Sequence, residues 1–168
     1  MSSSVKHFGL AILLIFVVFS IYAHLLRNDF INYDDQGYVY SNPQVVKGFG
    51  VAGAKWAFTT TQQCNWHPLT WMSHMLDVSL YGLWPGGHHL TSLLLHLVNA
   101  LLILWIFLRL TGEFWPSYLL AALFSVHPMH IESVAWIAER KDVLSTFFLL
   151  LAILAYHVYV PNAKNSGV

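Results

Sequence analysis

The 168-residue chain is 57% hydrophobic and only 10% charged, with eight basic and eight acidic side chains and a formal net charge of zero. Soluble domains carry about a quarter charged residues, so this composition excludes an ordinary soluble protein. With no basic patch it also excludes a nucleic-acid partner, and the single cysteine, Cys64, excludes an intrachain disulfide and a cysteine-built zinc site.

Residues 8–26 form an apolar run long enough to cross a bilayer. Lys6 precedes it as in a signal peptide. The run is longer than the usual signal core, however, and Ala23-His24-Leu25 lacks a small-x-small cleavage pattern, so a retained span is expected. The loop that follows, 27–87, opens on Phe30-Ile31-Asn32-Tyr33-Asp34-Asp35. An adjacent carboxylate pair so close to a membrane is either a solvated boundary or a working site, because both groups want water and each repels the other.

The loop also carries Trp56, Trp66, Trp71 and Trp84, so it is expected to fold against the membrane rather than serve as a linker. Leu69, Met72, Leu76 and Leu80 make one helical stripe, with Ser73, His74 and Asp77 on the other side. That pattern predicts a helix lying in the interface plane, or else a packing helix of a small extracytoplasmic domain. Pro85-Gly86-Gly87 then turns the chain into a second span, 90–110. A third, 117–136, crosses only if the helix tolerates Pro128. The fourth is 143–160, and 161–168 is a polar tail. The expected fold is an all-α integral membrane module over 1–160, with about four transmembrane helices and a long extracytoplasmic first loop holding interfacial helices.

The positive-inside rule gives no support to either orientation. With the N-terminus in the cytoplasm, seven of the eight acidic residues lie outside and only Glu113 inside. That places both acidic clusters on one extracytoplasmic face.

Several side chains suit chemistry there. One of Asp34 and Asp35 could deprotonate an acceptor hydroxyl while the other orients it or holds a metal; the pair could equally be a turn or helix cap. His127, His130 and Glu132 do not have a zinc signature and suit hydrogen bonds to a phosphate or sugar, or simply a polar helix end. Arg140 and Lys141 suit a lipid-linked phosphate, or membrane anchoring beside an Asp142 cap. Asn65 and His67, within Asn65-Trp66-His67-Pro68, and His88 and His89 suit sugar or headgroup contacts, or an interfacial belt. His96 and Asn99, three apart in the second span, are expected to hydrogen-bond another helix. No metal ligand set and no certain cofactor is recognised, a divalent metal remaining possible, and no Walker, Rossmann or HExxH pattern occurs.

Taken in order, FINYDDQGYVYSNPQV, NWHPLTWMSHMLDVSLYG, PGGHHLTSLLLHLVNALL and ALFSVHPMHIESVAWIAERKDVLST resemble the N-terminal membrane region of bacterial tetratricopeptide-repeat membrane proteins. Those are similar to the transmembrane and tetratricopeptide-repeat O-mannosyltransferases among the C-type membrane glycosyltransferases. The resemblance covers about residues 25–160. It implies Asp34 and Asp35 as the catalytic acidic motif, Glu132 as the second acidic position, and Arg140 and Lys141 beside a carrier phosphate. It further implies sugar transfer from a polyprenyl-phosphate donor to a protein hydroxyl at the outer face of a bacterial inner membrane. Members have many more spans and a repeat region, so the sequence reads as a fragment, a truncated product, or a chain whose remaining helices come from another. The rival readings are a non-catalytic membrane scaffold and a small transporter subunit.

Overall fold

A computed structural model describes residues 3–165, with side chains for 7–159. The protein is 83% helical, without strands among the described residues. The first helix, α1 (Ser3–Tyr22), continues into a 3-10 turn at Ala23–Arg27. The loop contains α2 (Val51–Thr59) and α3 (Pro68–Tyr81). Then come α4 (Pro85–Thr111), α5 (Phe114–Val126), the short α6 (Ile131–Ala135) and α7 (Arg140–Asn165). Three segments are long and apolar enough to cross a membrane: His7–Arg27, Pro85–Thr111 and Ile137–Tyr159. The chain is an all-α membrane protein.

The third expected span departs from expectation. Residues 117–136 are not one helix, because α5 stops after Val126 and His127 is extended (φ −66°, ψ 130°) in front of Pro128. Proline's ring crowds the preceding residue out of the helical region. At 13 residues, α5 is about 20 Å long, well short of the roughly 30 Å hydrocarbon core.

Two cores divide the molecule. In the first, Leu14, Val18 and Tyr22 of α1 meet Leu93 and Leu97 of α4, Ala121 of α5, and Val143 and Leu150 of α7. Hydrogen bonds reinforce it where lipid offers no alternative. The His96 ring meets the Ser125 carbonyl at 2.9 Å, and Asn99 Nδ2 donates to the Val143 carbonyl at 2.8 Å. The sequence expectation that these two residues bond neighbouring helices holds.

The second core belongs to the loop. Tyr38, Val39, Val45, Ala57, Trp71 and Met75 pack with Ile137 and Ala138, so the turn before α7 is inserted into the loop's own interior. Trp71 is fully buried, with the Tyr38 and Trp56 rings 4.9 and 5.2 Å from it. Around it α3 is turned inside out relative to a soluble helix. Leu69, Leu76 and Leu80 are exposed, whereas His74 and Asp77 are buried. An apolar stripe facing outward and a polar side facing inward suit a helix that lies against lipid. Gly86 and Gly87 let α4 begin in tight quarters: a Cβ on the first would run into the Leu26 carbonyl and the Trp84 ring, and on the second into Tyr81.

Candidate functional site

Asp34 and Asp35 are neighbours in sequence and sit in different surroundings. Asp35 is fully buried. Its Oδ2 accepts the Ile31 N–H at 2.8 Å and its Oδ1 the Ala138 N–H at 2.9 Å, so one carboxylate ties the loop to the turn before α7. Burial pushes its pKa above the ordinary carboxylate value, the two backbone N–H groups pulling the other way. Asp34 is half-buried, and its carboxylate makes no hydrogen bond among the described residues.

After the pair, Gln36–Tyr40 winds as a single π turn, a conformation often found at functional sites. It carries Tyr38 into the core, 4.9 Å from the Trp71 ring and 5.4 Å from the His67 ring. Gln63 and Cys64 both take left-handed backbone (φ 58° and 56°), a strained choice for residues other than glycine. That corner presents Asn65, whose Nδ2 donates to the Gln63 carbonyl at 2.9 Å and to the Tyr38 hydroxyl at 3.4 Å.

Beside this corner opens a groove of about 700 Å³. Phe58, Trp66 and Leu69 form one wall, and Leu144 and Phe148 of α7 the other, with His67, Lys141 and Asp142 supplying its polar groups. Lys141 Nζ is 2.6 Å from Glu139 Oε1. Both charges act on His67 and on Tyr38, and Asp34 acts on Tyr38 as well. Burial first, and the Lys141 charge second, lower the His67 pKa, so this ring is neutral at neutral pH. The arrangement can hold a long apolar tail against the span, an anion near Lys141, and a free carboxylate nearby.

Of the expected site residues, Asn65, His67 and Lys141 gather at this place, with Asp34 in electrostatic reach of Tyr38 beside them. The others lie elsewhere. Arg140, expected to meet a carrier phosphate, is fully buried. Its Nε donates to Ser92 Oγ at 2.9 Å, one terminal nitrogen to the His88 carbonyl at 2.7 Å, and the other lies 2.8 Å from Asp77 Oδ2. A buried guanidinium with those partners has no face left for a ligand. His88 and His89, expected to touch sugar, are buried in the first turn of α4 and line no part of the groove.

Glu132 and His127 are exposed, and neither lines the groove. His130 lines a second cavity of about 30 Å³ with His96, Asn99, Ser133 and Asp142. Asp142 lies in the first turn of α7 and accepts the Ser133 hydroxyl at 3.0 Å instead of capping the helix.

The sequence reading missed Tyr38, Glu139, His74 and Asp77. The last two are visible in the sequence as the polar side of α3, opposite the leucine stripe. They meet His88, one donor atom of each residue lying within 4.8 Å of the others. Among the described residues neither Asp34 nor Asp35 belongs to a group of three metal-ligating side chains.

The chain matches no protein-family model and no solved structure. It is 31% identical over 142 residues, 84% of its length, to "Protein O-mannosyl-transferase Tmtc1" of Drosophila melanogaster. To "Protein O-mannosyl-transferase TMTC1" of Mus musculus it is 31% identical over 144 residues, 80% of its length. To "Protein O-mannosyl-transferase TMTC3" of the same organism it is 35% identical over 92 residues, 55% of its length. The matched stretch is 14%, 15% and 10% of these relatives' own lengths, so the chain spans about one seventh of the first two.

Proposed function

From a chain similar over about four fifths of its length to protein O-mannosyl-transferases, we propose a membrane module that takes part in transferring a sugar to a protein hydroxyl. The sugar is mannose, as in the relatives' names, the donor is a polyprenyl-phosphate carrier, and the working face is extracytoplasmic, in a bacterial inner membrane. The observation that carries this reading is the groove. Its apolar walls, Phe58, Leu144 and Phe148, suit an isoprenoid tail, and Lys141 suits the phosphate.

In this reading Asp34 is the base. It takes the proton of the acceptor hydroxyl as that oxygen attacks the anomeric carbon, and the bond from that carbon to the phosphate oxygen breaks. The departing polyprenyl phosphate keeps the electron pair and is stabilised by Lys141, which the phosphate draws away from Glu139. Asp35 is a positioning residue, since both of its oxygens hold backbone N–H groups. Asn65 and the Tyr38 hydroxyl supply polar contacts for the sugar.

One observation favours the rival reading, a non-catalytic scaffold: none of the three expected acidic groups, Asp34, Asp35 and Glu132, lines the groove. Membrane vesicles carrying the chain, given polyprenyl-phosphate mannose and an acceptor peptide, separate the two. Asp34→Asn lowers transfer by about 10²- to 10⁴-fold if Asp34 is the base. Lys141→Ala reduces photo-crosslinking of a polyprenyl-phosphate analogue in the groove. If neither substitution changes anything, the scaffold reading replaces this one.

A further inference from the structure

Between α3 and the start of α4 lies a buried polar cluster that the proposed sugar transfer does not use. His74 and Asp77 stand one turn apart on α3 and His88 comes from the first turn of α4, all three at most 1% exposed. One donor atom from each lies within 4.8 Å of the others. We propose that His74, Asp77 and His88 bind a divalent transition-metal ion, zinc by preference, which clamps α3 to the start of α4.

The first argument is an unmet need. Both ring nitrogens of His74 are buried without a hydrogen-bond partner, and burying a polar atom that way is unfavourable. A metal ion on one nitrogen removes half of that deficit at once.

The second argument is a tautomer. His88 Nε2 faces the Gly82 carbonyl at 3.2 Å, so that nitrogen carries a proton, and in the neutral ring a metal would need, Nδ1 presents its lone pair. The lone pair points toward Asp77 Oδ2, 3.4 Å away, and neither atom has a hydrogen bond. A cation seated between these two electron-rich atoms would share Asp77 Oδ2 with the Arg140 guanidinium, 2.8 Å from the same oxygen. A tetrahedral ion with bonds of about 2.0–2.2 Å spaces its ligands roughly 3.3–3.5 Å apart. That pair already stands at the required distance, and a His74 nitrogen lies within 4.8 Å of both.

The surrounding groups act as an outer shell. The Gly82 carbonyl fixes the His88 ring, and the Thr91 hydroxyl donates to the other Asp77 oxygen at 2.7 Å. Two imidazoles and one carboxylate favour zinc and its first-row neighbours over magnesium or calcium. Arg140 opposes the ion, its guanidinium being 2.8 Å from Asp77 Oδ2, though out of hydrogen-bonding alignment. Asp35 offsets it, since its carboxylate is close enough to His88 to interact electrostatically. The donor set amounts to three protein ligands with one position left for a small ligand.

The test uses the full chain, purified in detergent without a histidine tag, stripped with a chelator and titrated with Co²⁺ and Zn²⁺. One equivalent of each is expected at micromolar concentration, Co²⁺ giving the visible absorption of a tetrahedral site. His74→Gln weakens binding by roughly 100-fold or more, at least as much as losing an outer-shell partner. Circular dichroism of the metal-free variant checks that the helices stay formed, since His74 is fully buried against the Tyr38 and His88 rings. Asp34→Asn leaves the stoichiometry intact, so this site stands or falls apart from sugar transfer. The proposal is overturned if the wild-type chain holds no metal at micromolar concentration. It is equally overturned if binding survives both His74→Gln and His88→Gln but is lost on His127→Ala, which would mean adventitious binding by an exposed histidine.

Discussion

Asp34 and Asp35 differ by one peptide unit and by almost everything else that governs a carboxylate. Asp35 holds the Ile31 and Ala138 N–H groups inside the protein, so Asp35→Ala leaves two buried donors unpaired and costs about 2–4 kcal/mol. Asp34→Asn, at a half-exposed position without bonds, changes stability by no more than about 0.5 kcal/mol. Thermal unfolding of the two variants checks this contrast. Asp35 also carries a pH signature. Its folded pKa is raised, chiefly by burial, so the folded chain binds the proton more readily than the unfolded one. Its contribution to stability therefore grows as pH falls through the raised folded value and levels off below the unfolded one. Asp35→Asn removes that slope, and denaturation midpoints from pH 7 down to pH 4 measure it. The sequence singled out the pair but could not assign the two roles, because the Ala138 N–H lies 103 residues away.

At the level of elements, the junction of α3, α4 and α7 depends on a buried ion pair. Arg140→Ala strands Asp77 in the interior and destabilises the protein by about 3–5 kcal/mol, enough to lower the yield of folded protein. Arg140→Met together with Asp77→Asn recovers much of that loss, since an uncharged pair leaves nothing to compensate. Lys141→Ala, one residue along but partly exposed, leaves unfolding nearly unchanged and affects only the groove. Comparing the unfolding temperatures of the three variants tests the division. The helices themselves were largely legible: α3 in its leucine stripe, α4 in its apolar run, and the inter-helix bonds of His96 and Asn99 in their i, i+3 spacing. The third span was overextended because apolar composition carries on past Pro128 while backbone geometry does not. The direction of the two faces of α3 is not legible in the same way. In a membrane-surface helix the polar side turns to the protein, and periodicity alone does not say which side faces which medium.

For the whole molecule, Asp34, Asp35, His67, Lys141 and Asp142 fall on one end of the helix bundle, the end the sequence assigned outside from its acidic residues. Cys64 reads out that assignment, being the only thiol and exposed at the same end. A membrane-impermeant maleimide added to intact cells labels it, whereas labelling only after permeabilisation would invert the orientation. The brevity of α5 has a consequence for the solvent rather than the protein. A helix of 13 residues falls about 10 Å short of the hydrocarbon thickness, and wherever its exposed Leu119 and Leu123 meet lipid the bilayer must thin to match. Thinning beside the bundle draws lipid headgroups inward on that flank. A phosphate-headed carrier diffusing in the leaflet then meets a shallower barrier there than in flat membrane, so this short helix shapes the approach to the protein through the membrane's own deformation.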